Sequence, residues 1–215
     1  MSTHESRSGL RPILVRDFSE ELPSHGYPLG MVEIVEAANG QHITVRPILP
    51  LDAAKFQAFV RNLSDASRSN RFLHGLKELS GQMLQRLTRI DYRTHMALVA
   101  EIMREGVPVI IAEARYACDP ESGSVELAVA VADDWQGLGL AKALFRRLIG
   151  HAASAGFTRL TGETRASNAP VLHLAREAEF SIRPVPGASG VLRLTRNIAP
   201  HSPHLPQQEA LTAAE

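Results

Sequence analysis

The stretch that decides the fold is Val125-Glu-Leu-Ala-Val-Ala-Val-Ala-Asp-Asp-Trp-Gln-Gly-Leu-Gly-Leu-Ala141. Its first part, up to Val131, has the length and the β-branched content of a strand. A glycine-bearing turn follows and leads into a segment with apolar residues at helical spacing. A strand that passes through such a turn into a helix leaves backbone N–H groups unpaired at the positive end of the helix. The stretch therefore predicts a binding place for an anion such as a pyrophosphate.

Glu126 is the one charged residue in the strand part of this stretch. Because successive side chains point to opposite faces, one face carries Glu126, Ala128 and Ala130, and the other carries Leu127, Val129 and Val131. A carboxylate beside two small side chains leaves space for a second molecule, so Glu126 is a candidate general base. The competing interpretation is a solvated glutamate without a chemical role.

Other reactive side chains are weaker candidates. Glu113 lies between two alanines on the preceding predicted strand, and a surface charge is the favoured interpretation. Cys118, the single cysteine, has no histidine near it in sequence and is interpreted as an incidental residue. The nine histidines are scattered without ligand spacing, so no metal site is expected.

The turn does not match the common nucleotide motifs. The dinucleotide fingerprint needs a glycine or alanine where Lys142 stands, and no aspartate follows Asp134 to bind a ribose. A P-loop needs Gly-Lys-Ser/Thr after the glycines, and that sequence is absent. These differences argue against a dinucleotide-binding oxidoreductase and a P-loop enzyme.

Composition restricts the class of protein. Lys plus Arg equals Asp plus Glu at 23 each, so no strong field attracts nucleic acid or an anionic membrane. No run approaches about 18 apolar residues, and the first residues lack the apolar core of a secretory signal. A single cysteine excludes an intrachain disulfide and fits a reducing compartment. A cytoplasmic protein is expected.

The first half of the chain predicts a hairpin, helices and then antiparallel strands. Asn39-Gly40 predicts a hairpin between residues 31–36 and 42–47. Apolar residues at helical spacing after Asp52, with N-caps at Ser64 and Ser80, predict two or three helices. A period of two then predicts three antiparallel strands, at 96–102, at 107–116 and from Val125.

The second half predicts the one parallel pair of the sheet. A helix over 141–155 ends at Gly156, and a strand over 157–164 follows. A strand that returns through a helix lies parallel to its predecessor. Asn168 caps a helix to about Glu179, and a hairpin joins 180–183 to 191–195. The fold class is α+β: a mixed, mostly antiparallel sheet with one central parallel pair and helices on both faces.

Three segments are expected along the chain. Residues 1–40 form an N-terminal arm that could add an extra strand and permits a homodimer. Residues 41–198 form the folded domain. Residues 199–215 are proline-containing and poor in apolar residues, which is typical of a disordered tail.

The run Gln136-Gly-Leu-Gly-Leu-Ala141 resembles the acyl-CoA-binding motif of the GCN5-related N-acetyltransferase (GNAT) superfamily, Arg/Gln-x-x-Gly-x-Gly/Ala. The resemblance covers about residues 43–196, since the predicted strands and helices follow the order of that family. Within it, Val125-Glu-Leu-Ala-Val with Asp133-Asp-Trp-Gln-Gly is similar to the acetyltransferase domain of bacterial Pat-type protein lysine acetyltransferases. Lys77-Glu-Leu-Ser, Ile90-Asp-Tyr and Met96-Ala-Leu-Val are similar to that group too.

The resemblance implies acetyl-CoA as co-substrate, an amine acceptor and Glu126 as general base. It places the cofactor on Val129, Val131, Gln136, Gly137, Leu138, Gly139, Leu140, Ala141 and Asn168. For Asn168, a role as helix N-cap is an equal alternative.

The sequence departs from the family at the position of the general acid, and it leaves two functional hypotheses open. Many members of the family have a tyrosine where Ala175 stands, and no tyrosine follows Tyr116, so the group that protonates the leaving thiolate is open. The first functional hypothesis is an N-acetyltransferase acting on a protein lysine or a small amine. The second is a non-catalytic module that binds acyl-CoA and senses it.

Overall fold

The computed structural model describes residues 11–13, 26–37, 40–73 and 76–199. Within these residues the chain forms nine strands: β1 Arg11–Ile13, β2 Glu33–Glu36, β3 His42–Pro47, β4 His95–Arg104, β5 Val107–Cys118, β6 Val125–Val131, β7 Arg159–Arg165, β8 Ser181–Pro184 and β9 Val191–Asn197. The helices of the same part are α1 Ala53–Asn62, α2 Asp65–Phe72, α3 Gly81–Thr88, α4 Leu140–Ser154 and α5 Ala169–Glu177. Single 3₁₀ turns lie at Leu29–Met31, Pro50–Asp52 and Asp133–Trp135.

The strands form one sheet in the order β1-β2-β3-β4-β5-β6-β7-β9-β8. Neighbours are antiparallel except β6 and β7, which are parallel because α4 connects them. The predicted fold class, including its single central parallel pair, is confirmed.

Helices cover both faces of the sheet. On one face, Leu140, Leu144 and Leu148 of α4 pack with Leu127 and Leu160 in one buried cluster. On the other, the buried residues of α1 form a second cluster with alternate residues of β4, β5 and β6: Phe56, Phe59, Val60, Ala97, Val99, Ile110 and Ala130. The predicted alternation along β6 is confirmed, since Leu127 and Ala130 belong to opposite faces.

The strands of the parallel pair separate soon after they meet. Only Val125 with Leu160, and Glu126 with Thr161, are paired between β6 and β7. Gly162 follows directly, and a Cβ at this glycine would lie 3.1 Å from the carbonyl oxygen of Leu127. Beyond this contact the two strands diverge and leave a cleft in the sheet.

The predicted end of α4 is confirmed in detail. Gly156 has a φ of 89°, and its N–H donates to Ala153 while the N–H of Phe157 donates to Ala152. This is the hydrogen-bond pattern of a Schellman cap. Because the Phe157 amide belongs to the helix cap, β7 begins at Arg159 rather than at the predicted residue 157.

The other helix and hairpin predictions are confirmed with small shifts. Ser64 and Ser80 cap α2 and α3 by accepting from Ser67 N and Met83 N. Helix α5 ends at Glu177 rather than near Glu179, because Glu179 has the left-handed φ of 57°. The hairpins β2–β3 and β8–β9 form as predicted.

Most of the predicted N-terminal arm and nearly all of the predicted tail lie outside the described residues. The described part of the arm adds β1 and β2 to the edge of the sheet. No helix in the described ranges is long and apolar enough to cross a membrane.

Candidate functional site

The cleft between β6 and β7 exposes backbone groups of β6. The N–H of Ala132 donates to the carbonyl of Ile111 of β5. Backbone groups alternate in direction along a strand, so those of even-numbered residues of β6 bond to β5 and those of odd-numbered residues face β7. The N–H and C=O groups of Leu127, Val129 and Val131 therefore face β7. Leu127 flanks the last paired position of the β6–β7 ladder, and the Val131 carbonyl accepts from Gln136, so both groups of Val129 and the N–H of Val131 remain for a ligand. An extended ligand can pair with them as an added strand does.

Side chains from both strands and from three helices line this cleft. They are Asn70, Arg71, Leu127, Ala128, Val129, Phe145, Thr161, Gly162, Glu163, Thr164, Asn168, Val171, Phe180 and Leu194. The wall formed by Leu127, Phe145, Phe180 and Leu194 is apolar. Polar residues come from α2 (Asn70 and Arg71), from β7 and from the cap of α5.

The glycine turn lies at the wide end of the cleft. Gly137 and Gly139 have φ values of 77° and 83°, a conformation that favours glycine. Helix α4 begins directly after Gly139, which provides no side-chain cap. The N–H groups of residues 137–142 have no backbone acceptor in the described chain. Six free amides at the positive end of a 15-residue helix form an anion-binding loop.

The three longer side chains of the motif, those of Gln136, Leu138 and Leu140, differ in their environment. Leu140 is buried in the core, so only its backbone is available to a ligand. Leu138 is 42% exposed at the tip of the loop. The side chain of Gln136 donates to the carbonyl of Val131, 3.1 Å away, and to the hydroxyl of Ser67. Gln136 thereby fixes the distance between the end of β6 and the loop.

Asp133 ties the loop to helix α2. Its carboxylate accepts from the N–H of Ser64 at 2.8 Å and from the hydroxyls of Ser64 and Ser67. Partial burial opposes ionisation, but these hydrogen bonds lower the pKa of Asp133 below its usual value. The start of α2 is therefore held beside the anion-binding loop.

Replacing Ser64 with alanine tests this connection. We expect Ser64→Ala to lower the free energy of unfolding by more than the roughly 1 kcal/mol typical of a lost N-cap, because the hydroxyl also donates to Asp133. Ser80→Ala is the matched control, since Ser80 only caps α3. Urea denaturation of both variants gives the two losses. Equal losses would show that the Asp133 contact adds nothing.

Glu126 lies at the narrow end of the cleft, where β6 and β7 meet. It is exposed, and its register partners are Ala117 on β5 and Thr161 on β7. A polar trough surrounds it, lined by Asp119, Ser122, Ser124, Arg159, Thr161, Gly162, Glu163 and Arg193. The carboxylate of Glu126 is thus open to a solvent-borne substrate beside the mouth of the cleft.

The interpretation of Glu113 as a surface charge is wrong. Glu113 is fully buried, and Arg71 of α2 and Arg115 of β5 form ion pairs with its two oxygens. Burial alone would raise the pKa of Glu113, but Arg115 and Arg71 lower it below the usual value. Arg115 lies two residues along the same strand, but Arg71 lies 42 residues away on a different element, so the local pattern did not indicate that Glu113 is buried.

Because the carboxylate of Glu113 is buried, we expect the free energy of unfolding to depend on pH in the acidic range. The pKa of Glu113 is lowered in the folded chain, so its ionisation stabilises the fold above the unfolded-state pKa of about 4.3. That contribution is lost as the pH falls through the folded-state pKa. We expect Glu113→Gln to flatten the decline of unfolding free energy between pH 5 and pH 3. Urea midpoints measured at several pH values check this, and an unchanged pH dependence would contradict it.

Asn168 is the N-cap of α5, as one of the two interpretations held. Its oxygen accepts from Val171 N at 3.4 Å, and its nitrogen donates to the Thr164 hydroxyl at 3.0 Å. The residue also lines the cleft. Ala175, about two turns along α5 from Asn168, is buried. Because it is an alanine, α5 has no proton-donating side chain at that position.

Comparisons with known proteins identify the family of the chain. The model of the acetyltransferase (GNAT) family matches residues 60–180. Acetyltransferase PA5475 from Pseudomonas aeruginosa is 39% identical over 130 residues, which cover 60% of this chain and 70% of that protein. Acetyltransferase Pat from Mycolicibacterium smegmatis is 28% identical over 136 residues, 62% of this chain and 40% of that protein. The chain thus spans less than half of the length of the mycobacterial relative.

Solved structures share the fold. The GNAT domain of S. lividans PAT superposes with a TM-score of 0.71 at 27% identity, covering 80% of this chain and 99% of that one. A phosphinothricin acetyltransferase from Sinorhizobium meliloti, solved in complex with AcCoA, gives a TM-score of 0.61 at 16% identity, over 79% and 96% of the two chains. Together with the family match over more than half of the sequence, these findings show that the chain belongs to the acetyltransferase (GNAT) family.

Proposed function

We propose that this chain transfers an acetyl group from acetyl-CoA directly to a primary amine, with Glu126 as the general base. The observation that carries the proposal is the arrangement of the cleft: six free amides lie at one end and an exposed carboxylate lies at the other. Five residues of strand, about 17 Å, separate Glu126 from Val131. An extended pantetheine arm can follow a strand over such a span.

The pyrophosphate of the cofactor would bind the loop at Gly137 to Ala141. Its charge is met there by free N–H groups and by the dipole of α4. The pantetheine arm would pair with the cleft-facing backbone of Val129 and with the N–H of Val131, whose carbonyl already accepts from Gln136. Asn168 would form part of the wall that the arm contacts. Acetyl-CoA is also the ligand of the structural relative from Sinorhizobium meliloti.

The chemistry requires a neutral amine, since the protonated form has no free electron pair. A lysine ε-amine is almost entirely protonated at pH 7. Glu126 would accept the ammonium proton first, so that the electron pair of the nitrogen becomes free to bond to the thioester carbon. The carbon–sulfur bond then breaks, and the second proton that the nitrogen loses on becoming an amide passes to solvent. The thiolate of CoA leaves with the electron pair and takes up a proton from water, because a thiol with a pKa near 8.5 is already a competent leaving group. Holding both reactants in one cleft removes the entropic cost of their encounter.

The acceptor we infer is a lysine side chain of a protein. Two observations support this choice: the trough around Glu126 is open to solvent, and the motifs around Glu126 and Asp133 resemble those of bacterial Pat-type protein lysine acetyltransferases. A small primary amine is the other outcome of the test. Cys118 is a half-buried free thiol, which fits a reducing, cytoplasmic location.

The direct test is release of free CoA from acetyl-CoA in the presence of separate acceptors. Lysine-containing peptides, a cell lysate treated to remove endogenous acetylation, and small amines are each incubated with the protein. We expect amine-dependent CoA release and a mass gain on the acceptor of one acetyl group. Binding of acetyl-CoA by calorimetry without release for any acceptor would favour the alternative, an acyl-CoA-sensing module.

A further inference from the structure

Arg71 brings a buried positive charge to the cleft. Its side chain is 10% exposed and forms ion pairs with Glu113, Nε to Oε2 at 3.1 Å and Nη2 to Oε1 at 3.4 Å. Its Nη1 has no partner among the described residues. Arg71 also lines the cleft together with Ala128 and Val129. One edge of the guanidinium is therefore held by Glu113, its face lies over the Phe72 ring with Cζ 4.8 Å from the ring centroid, and the edge that carries Nη1 is left for a ligand.

The ion cluster is one negative charge short of neutrality. Two guanidinium groups, from Arg71 and Arg115, share the single carboxylate of Glu113. Arg115 is held more deeply, and its Nη2 donates to the carbonyl of Leu87. Arginine stays charged in such places, so the cluster carries a net charge of about plus one. An uncompensated buried charge is costly, and the open Nη1 of Arg71 is where an anion can compensate it.

The register places this charge beside the middle of β6, at Ala128 to Ala130. Glu113 pairs with Ala130 and Arg115 pairs with Ala128 in the β5–β6 ladder, and all four side chains share one face. The small alanines let Arg71 reach Glu113 across β6. The position lies between Val131, near the loop that would bind pyrophosphate, and Glu126, near the reacting carbon.

We propose that the site accepts acyl-CoA substrates whose acyl chain ends in a carboxylate, such as malonyl-CoA and succinyl-CoA, with Arg71 binding that carboxylate. The inference rests on the proposed function, because it assumes that acyl-CoA occupies the cleft. A guanidinium edge matches a carboxylate with two N–H donors. The same transfer then forms an amide between the acceptor amine and the succinyl carbonyl carbon, with CoA thiol as the other product.

The test compares the affinity for each carboxylated acyl-CoA with the affinity of the same protein for acetyl-CoA. Calorimetry on the purified full chain gives dissociation constants for acetyl-CoA, malonyl-CoA and succinyl-CoA. We expect one of the two carboxylated ligands to bind about tenfold more tightly than acetyl-CoA, the range of a charge-assisted contact. In Arg71→Met this preference should disappear, and in Arg71→Lys it should persist in part.

Two controls make each outcome decisive. Arg71→Met leaves Glu113 and Arg115 as a neutral pair, so folding is retained, and thermal unfolding verifies it. Arg68→Met removes an arginine from the same helix outside the cleft, and it should keep the preference; Arg68 bonds to Asp65 and to backbone carbonyls. Failure of acetyl-CoA itself to bind would refute the proposed function. Acetyl-CoA binding with no Arg71-dependent preference would refute this inference alone.

Discussion

We expect Glu126→Gln to lower the turnover of the proposed acetyl transfer by about 10²- to 10⁴-fold, the contribution of a positioned general base, and to leave acetyl-CoA binding intact. The side chain keeps its shape and its exposed position on β6, but an amide cannot accept the ammonium proton. Steady-state release of CoA gives the loss of kcat. Calorimetry with acetyl-CoA gives the unchanged dissociation constant.

The pH profile separates a base from a residue that merely holds the acceptor. An amine that is already neutral does not have to lose a proton before it attacks, so the deficit of Glu126→Gln should shrink as the pH approaches the amine pKa of about 10.4. Glu121→Gln is the matched control, the same substitution in the exposed turn between β5 and β6. It should behave as the parent protein. A deficit that stays constant from pH 7 to pH 10 would exclude the role of base for Glu126.

The local features of the site were predictable because the sequence encodes them over short distances. A strand, a turn with two glycines and a helix over Val125 to Ser154 need only their own residues. The same holds for the caps at Ser64, Ser80 and Asn168, whose acceptors lie three residues from their donors. Each of these elements forms as the pattern indicated.

The long-range features were not predictable from pattern. The cleft exists because β6 and β7 pair at only two positions, and Gly162 gives no signal of that in sequence. The burial of Glu113 depends on Arg71 from a helix whose polar composition is typical of a solvated face. Asp133 resembles a turn residue, but it binds the start of α2 more than 60 residues earlier. Such contacts are set by topology, and a single sequence does not display them.

Ala141→Glu is expected to weaken acetyl-CoA binding by about 100-fold while leaving the fold as stable as before. Ala141 lies in the first turn of α4, within the row of free amides. A glutamate there places a negative charge beside the pyrophosphate and competes for the same N–H groups. Like charges about 4 Å apart repel by about 4 kcal/mol at an effective dielectric of 20, and exposure reduces that figure.

Ala141→Glu is informative because we expect it to lower the affinity for acetyl-CoA without lowering the stability of the ligand-free protein. An acidic residue in the first turn of a helix stabilises it by about 0.3–1 kcal/mol, so the ligand-free protein should melt at the same temperature or slightly higher. Damage to the fold would lower both stability and affinity. Loss of an anion site alone lowers only affinity, and the loss should diminish in high salt, because salt screens exposed charges.

Gly150→Glu supplies the charge control on the same helix. Gly150 is exposed, and a Cβ there meets no atom within 4 Å, so the change alters net charge by the same amount far from the loop. Its acetyl-CoA affinity should match that of the parent. If both variants lost affinity equally, the effect would come from overall charge. If Ala141→Glu bound acetyl-CoA as tightly as the parent, the pyrophosphate would have to bind elsewhere, and the free amides at the start of α4 would have no ligand in this reaction.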